Sequence, residues 1–137
     1  MVDNKIFEKL EKYIDKDEFL GIAYEVENAI LSSEKSFEYV KPILDFIENH
    51  PSSFLGEPGP LVHFVEKFSG QGYEELLIES VKSCPTFYNI WMMNRAINDP
   101  NDKRHSIYIE IFKSILEQNS VPDEIKDIVR DFWDKWF

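Results

Sequence analysis

Apolar residues recur along this chain every three or four positions, the period that lets an α-helix bury one face. Ile6, Leu10, Tyr13 and Ile14 make a first stripe, and Phe19, Ile22, Ala23, Val26, Ala29 and Ile30 a second. Phe37, Val40, Ile43, Leu44 and Ile47 make a third, with Pro42 early enough to sit in or near the first turns, where its missing N–H is no loss. The pattern resumes over Leu61 to Phe68, Tyr73 to Val81, Phe87 to Ile97, Ile107 to Leu116 and Ile125 to Trp136. Strand signals are nearly absent, since no Asn-Gly or Asp-Gly pair separates alternating runs. Ser32-Ser33-Glu34 and Asp99-Pro100-Asn101-Asp102 read as helix starts. The expectation is an all-α fold of about seven to eight helices, in a single domain over residues 1–137.

Sliding the chain by 34 positions places Tyr39 on Tyr73, Leu44 on Ile78, Ile47 on Val81 and Pro51 on Pro85. Each copy reads as a helix that begins near a tyrosine and stops before a proline, followed by a second helix. Tyr108 to Pro122 and the last helix form a looser third copy. Such a pattern predicts antiparallel helical hairpins stacked as a short HEAT-like superhelix, each covering its neighbour's apolar face. An irregular helical bundle is the alternative. Two stretches interrupt the helices: the Pro- and Gly-rich segment Pro51 to Pro60, read as the longest loop, and the short, flexible turn Ser69-Gly70-Gln71-Gly72.

Composition narrows the class. Of 137 residues 43% are hydrophobic and 15% aromatic, with 11 Phe, 6 Tyr and 3 Trp. That load supplies a core without metals or disulfides and argues against disorder. Cys84 is the only cysteine, so neither an intrachain disulfide nor a Cys-based zinc site can form. The opening residues lack the apolar core of a signal peptide, and no run approaches the ~20 apolar residues that span a bilayer. A soluble, cytoplasmic protein is the expectation. The formal charge is −11, from 26 acids and 15 bases. Nucleic acid is therefore a poor partner, because binding it needs clustered Lys and Arg. A basic protein partner is favoured by electrostatic steering, although acidic helix faces also serve solubility alone.

Tests for catalysis return little. No two of His50, His63 and His105 stand at the i, i+4 spacing that would set two imidazoles on one helix face. His63 and Glu66 lie at i, i+3, but the pair is not repeated on a second helix as a carboxylate-bridged metal site requires. A small metal-binding enzyme using His63, Glu66 and Glu57 is thus the weakest functional reading. Cys84 sits between Ser83 and Pro85, where a helix is expected to end, and reads as a structural thiol. Gly-x-Ser-x-Gly, phosphate-cradling glycine loops and His-Glu-x-x-His are all absent. The carboxylate groups Glu74-Glu75 with Glu79 and Asp15 to Glu18 fall in polar runs and read as solvated faces. No catalytic, cofactor-binding or metal-ligating residue is assigned. Trp91 and Arg95, at i, i+4, place the guanidinium over the indole or against a neighbouring helix, with Asn94 serving the Pro51 to Pro60 loop. Phe132 and Trp136 share one face of the last helix and Trp133 and Phe137 another, which a docked terminal helix explains.

The pattern Gly56-Glu57-Pro58-Gly59-Pro60-Leu61-Val62-His63, then Pro85-Thr86, then Trp91-Met92-x-Asn94-Arg95-x-x-Asn98 resembles small helical immunity proteins encoded beside bacterial contact-dependent or polymorphic toxins. The likeness covers roughly residues 37–100. It implies a cytoplasmic inhibitor that binds one cognate toxin domain, often a nuclease, and blocks its active site or substrate groove. No catalytic residue comes with it. The expected partner-binding residues are Glu57, His63, Glu66, Tyr73, Glu74 and Tyr88, with Pro58, Gly59, Pro60, Trp91, Asn94 and Arg95 organising the region. A helical-repeat adaptor or scaffold is the competing function.

Overall fold

A computed structural model describes the backbone of residues 2–136 and the side chains of residues 2–134. Among these residues the chain is all-helical: eight α-helices, one 3-10 turn and no strand. The helices are α1 (Asn4–Tyr13), α2 (Phe19–Leu31), α3 (Val40–Asn49), α4 (Pro60–Glu66), α5 (Tyr73–Ser83), α6 (Phe87–Asn98), α7 (His105–Glu117) and α8 (Asp123–Trp136). The 3-10 turn, Ser36–Tyr39, leads directly into α3. Each helix coincides with one of the apolar stripes. The buried members, from Leu10 on α1 to Val129 on α8, join in one cluster to which every helix contributes. No described helix is long and apolar enough to cross a membrane.

Neighbours follow an ordered pattern. α1 packs on α2, α3 on α4, α5 on α6 and α7 on α8, while α2 meets α4 and α3 meets α5 across successive pairs. α6 is the most connected helix, touching α3, α4, α5, α7 and α8. Its contact with α3 departs from a simple row of hairpins.

Helix ends show which local signals held. The Asp3 carboxylate caps α1 by accepting the Lys5 N–H at 3.0 Å. Thr86 and Asn89 form a reciprocal capping box on α6: Thr86 Oγ1 accepts the Asn89 N–H at 3.3 Å, and Asn89 Oδ1 accepts the Thr86 N–H at 2.7 Å. Two expected helix starts are corrected. Ser32 ends α2, donating its hydroxyl to the Asn28 carbonyl, and Ser33 accepts the Lys35 N–H in the following turn. Asp99 ends α6, and α7 begins only at His105. Asp99 and Asp102 instead each accept a main-chain N–H two residues on, from Asn101 and Arg104, both at 2.9 Å. Short polar side chains stabilise turns by the same hydrogen bonds that cap helices, so spacing alone does not separate the two. On α8, Phe132 and Trp133 are half-buried against the core, while the proposed pairing with Trp136 and Phe137 lies outside the described side chains.

Asn89 is fully buried, and its amide donates to Ser80 Oγ at 3.1 Å and to the Cys84 carbonyl at 2.9 Å. Ser80 in turn donates to Glu48 Oε2 at 3.0 Å, so one polar relay ties α6 to α5 and α3. Asn89→Ala would strand these groups without partners, and a loss of about 2–4 kcal/mol is expected. Urea unfolding would read it as a lower midpoint at an unchanged m value.

Candidate functional site

The Pro51 to Pro60 segment is the longest loop between helices, and its conformation rests on two glycines and one tyrosine. Gly56 (φ 120°) and Gly59 (φ 91°) both occupy backbone space that favours glycine. They also approach one another so closely that a Cβ on Gly56 would strike the Gly59 Cα, and one on Gly59 the Leu55 carbonyl oxygen. Between them the Glu57–Pro58 bond is cis. Gly59 precedes Pro60, the first residue of α4, a favoured place for proline. From α6 the Tyr88 hydroxyl accepts the Leu55 N–H and donates to the Gly56 carbonyl, each at 2.8 Å. The close approach of the two glycines thus shapes the segment from Gly56 to Pro60, and Tyr88 straps the loop just before it, at Leu55 and Gly56. Tyr88 was expected at a partner surface; it is 4% exposed and holds the loop from beneath.

Above that strap lies an aromatic ledge. Phe54 is 52% exposed and Phe87 39% exposed. Phe87 packs on Trp91 at 5.3 Å between ring centroids and edge-on to Tyr88 at 5.1 Å, and Tyr88 stacks with Trp91 at 6.2 Å. Together with Glu57 these residues border an open hollow of about 440 Å³. Ring centroids this close form a packed platform, because the rings fill one another's faces. Phe54 and Phe87 are the members that sequence reasoning missed. An aromatic residue inside a Pro- and Gly-rich loop was the available signal for Phe54.

The other expected contact residues gather elsewhere. Glu66, Tyr73 and Glu74 line a second, polar cleft of about 470 Å³ together with Arg95, Asp99 and Asp102. Arg95 does not lie on the Trp91 indole as an isolated pair; its Nε donates to Glu66 Oε2 at 2.8 Å and so fastens α6 to α4. Both oxygens of Glu74 accept the Gly70 N–H, at 3.1 and 3.0 Å, which ties down the turn expected to be flexible. Tyr73, another expected contact, is 2% exposed. Burial, reinforced by the charges of Glu66 and Glu74, raises its pKa well above the usual phenol value. Asp102 is buried, which raises its pKa; hydrogen bonds from the Tyr108 hydroxyl, the Arg104 N–H and the Arg104 guanidinium outweigh burial and hold it below the ordinary carboxylate value.

His63 is exposed on α4, and Asn94 is half-buried on α6 with its carbonyl accepting from the Asn98 amide. His50 meets Glu11 at 2.7 Å and His105 the Asp99 carbonyl at 3.1 Å, so both bridge structural elements. Cys84 caps the end of α5, and burial followed by the Glu48 charge pushes its thiol up, away from a reactive thiolate. Among the described residues no group of three or more His, Cys, Asp or Glu is placed to hold a metal ion. No protein-family model matches the chain, no curated protein does, and no solved structure does.

Two measurements check this geometry. Tyr88→Phe leaves the Leu55 N–H and Gly56 carbonyl without their partner, and a loss of about 1–3 kcal/mol in chemical unfolding is expected. Asp102 gives a pH signature. Its lowered folded pKa means its contribution is complete above the unfolded carboxylate value of about 3.9 and fades as pH falls below it. Asp102→Asn should therefore be less stable than the parent chain at pH 7, and the gap should narrow below about pH 4.

Proposed function

We propose that this protein is an inhibitor that binds and neutralises a basic bacterial toxin domain, a nuclease being the favoured class, by covering its active site or substrate groove. The observation that carries the reading is the Phe54–Phe87–Trp91 ledge beside Glu57, set on a loop that the glycine pair and Tyr88 hold in one conformation. Exposed aromatics on a preorganised support are the usual anchors of tight protein interfaces, since little side-chain or loop freedom remains to be lost on binding. The −11 charge supports fast encounter with a positive partner, in whose basic groove carboxylates would take the place of substrate phosphates. Stacking of the hairpins into a short superhelix, and a cytoplasmic location, belong to the same proposal.

A peptide-binding adaptor is the second reading. It is favoured by the groove of about 500 Å³ between α5 and α7, where Ile107 is 47% exposed among Val81, Ile111 and Ile115.

Co-expression with the C-terminal domain encoded by a neighbouring large toxin gene tests inhibition. The expected result is rescued growth and a co-purifying complex. Phe54→Ala and Phe87→Ala should each weaken the complex by roughly tenfold or more while leaving the unfolding midpoint within a few degrees. Absence of both rescue and co-purification would sink the reading. Peptide capture that depends on Ile107, with no effect of Phe54→Ala, would favour the adaptor.

A further inference from the structure

The hollow beside the Pro51 to Pro60 loop sets a carboxylate among aromatic rings. Phe54, Gly56, Glu57, Phe87, Tyr88 and Trp91 border it, so Glu57 is its one charged side chain. Glu57 is exposed, and within the described residues no hydrogen bond or ion pair engages its carboxylate. The Tyr88 hydroxyl is already used twice, on the Leu55 N–H and the Gly56 carbonyl. The side-chain polarity offered to a ligand is therefore a single negative charge.

The aromatic surface around that charge is also unmatched. Phe54, 52% exposed, makes no ring contact with Phe87, Tyr88 or Trp91, so its ring stands apart from theirs. Phe87 and Trp91 meet at 50° and not face to face; the first is exposed and the second half-buried. Among the described residues the cations that lie over a ring are Lys12 and Lys16, both over Tyr13 on the far-off α1 end of the chain. No cation of the described chain covers the ledge.

These features restrict the occupant. An apolar side chain would cover the rings but strip water from the Glu57 carboxylate with nothing in return. An anion would meet Glu57 as a like charge. A cation satisfies both, because aromatic faces are negative and the carboxylate carries a full charge. Of the two protein cations the guanidinium fits better. It is flat, stacks on rings, is less strongly hydrated than an ammonium ion and offers paired N–H donors to a carboxylate. We propose that this hollow takes an arginine side chain of the partner protein, its guanidinium lying against Phe54 and the Phe87–Trp91 pair and donating to Glu57. The proposal deepens the inhibitor reading and rests on the ledge being the surface that meets the partner. The net charge of −11 favours a partner that carries such side chains.

NMR titration of the full chain tests it, following the Glu57 and Phe87 amides and the Trp91 indole N–H. Nα-acetyl-arginine methylamide is expected to shift these signals saturably. The citrulline counterpart, flat but uncharged, and the lysine counterpart should both bind less tightly. Glu57→Gln and Phe54→Leu should each weaken arginine binding about two- to fivefold. Both positions are exposed, and leucine keeps apolar bulk while removing the ring, so both variants should unfold close to the parent's midpoint. The proposal is overturned if the arginine probe does not saturate at the ledge, if citrulline or lysine binds as tightly, or if either variant binds like the parent. Toxin neutralisation without arginine binding would strike this proposal alone, and arginine binding without neutralisation would strike the toxin reading alone.

Discussion

Burial of α6 on several sides is the constraint from which much of this molecule follows. Five other helices touch it, so polar groups at its start cannot turn to water and must be satisfied internally. Asn89 resolves this by serving the Thr86 cap, the Cys84 carbonyl at the end of α5 and the Ser80 hydroxyl together. Ser80 carries the connection to Glu48 on α3. One residue earlier, Tyr88 uses its hydroxyl twice on the backbone of the Pro51 to Pro60 loop. The same turn of helix thus sets the spacing of three helices and the shape of the longest loop.

That arrangement has a functional consequence. Phe87 and Trp91 lie on the outer side of the turn whose inner side holds Asn89, and Phe54 extends from the loop that Tyr88 straps. An aromatic surface supported in this way presents apolar area with little remaining freedom to lose on contact. The polar cleft beside Tyr73 has the opposite character: carboxylates held by arginines and main-chain N–H groups around a hydroxyl with nothing to bond. The two regions lie on different sets of residues, although one sequence segment, residues 54–95, supplies most of both.

The sequence reading drew the expected contact residues as one region around the loop. Glu57 and Tyr88 do border the aromatic hollow, whereas Glu66, Tyr73 and Glu74 border the other cleft. Nothing in spacing along a chain says which loop a distant tyrosine will reach, and Tyr73 and Tyr88 look alike until their hydroxyls are placed. The capping box of Thr86 and Asn89 was within reach of sequence reasoning, as a Thr three residues before an Asn following Pro85. The Asp99 to Asp102 stretch was misread for the complementary reason: its carboxylates form turns with the same donors that a helix start would offer.

The apolar period by itself determined that this chain is helical, roughly where the helices of the described residues lie and which face of each is buried, because a stripe of that spacing has one economical way to leave water. The paired glycines similarly marked a loop that other residues could not form. Tertiary structure alone decided that Tyr88 would be a strap, that Phe54 and Phe87 would share an exposed ledge, and that Tyr73 would be sealed in without a partner. Those outcomes depend on contacts between residues some thirty positions apart, and hydrogen-bond satisfaction across such distances is settled only when helices meet.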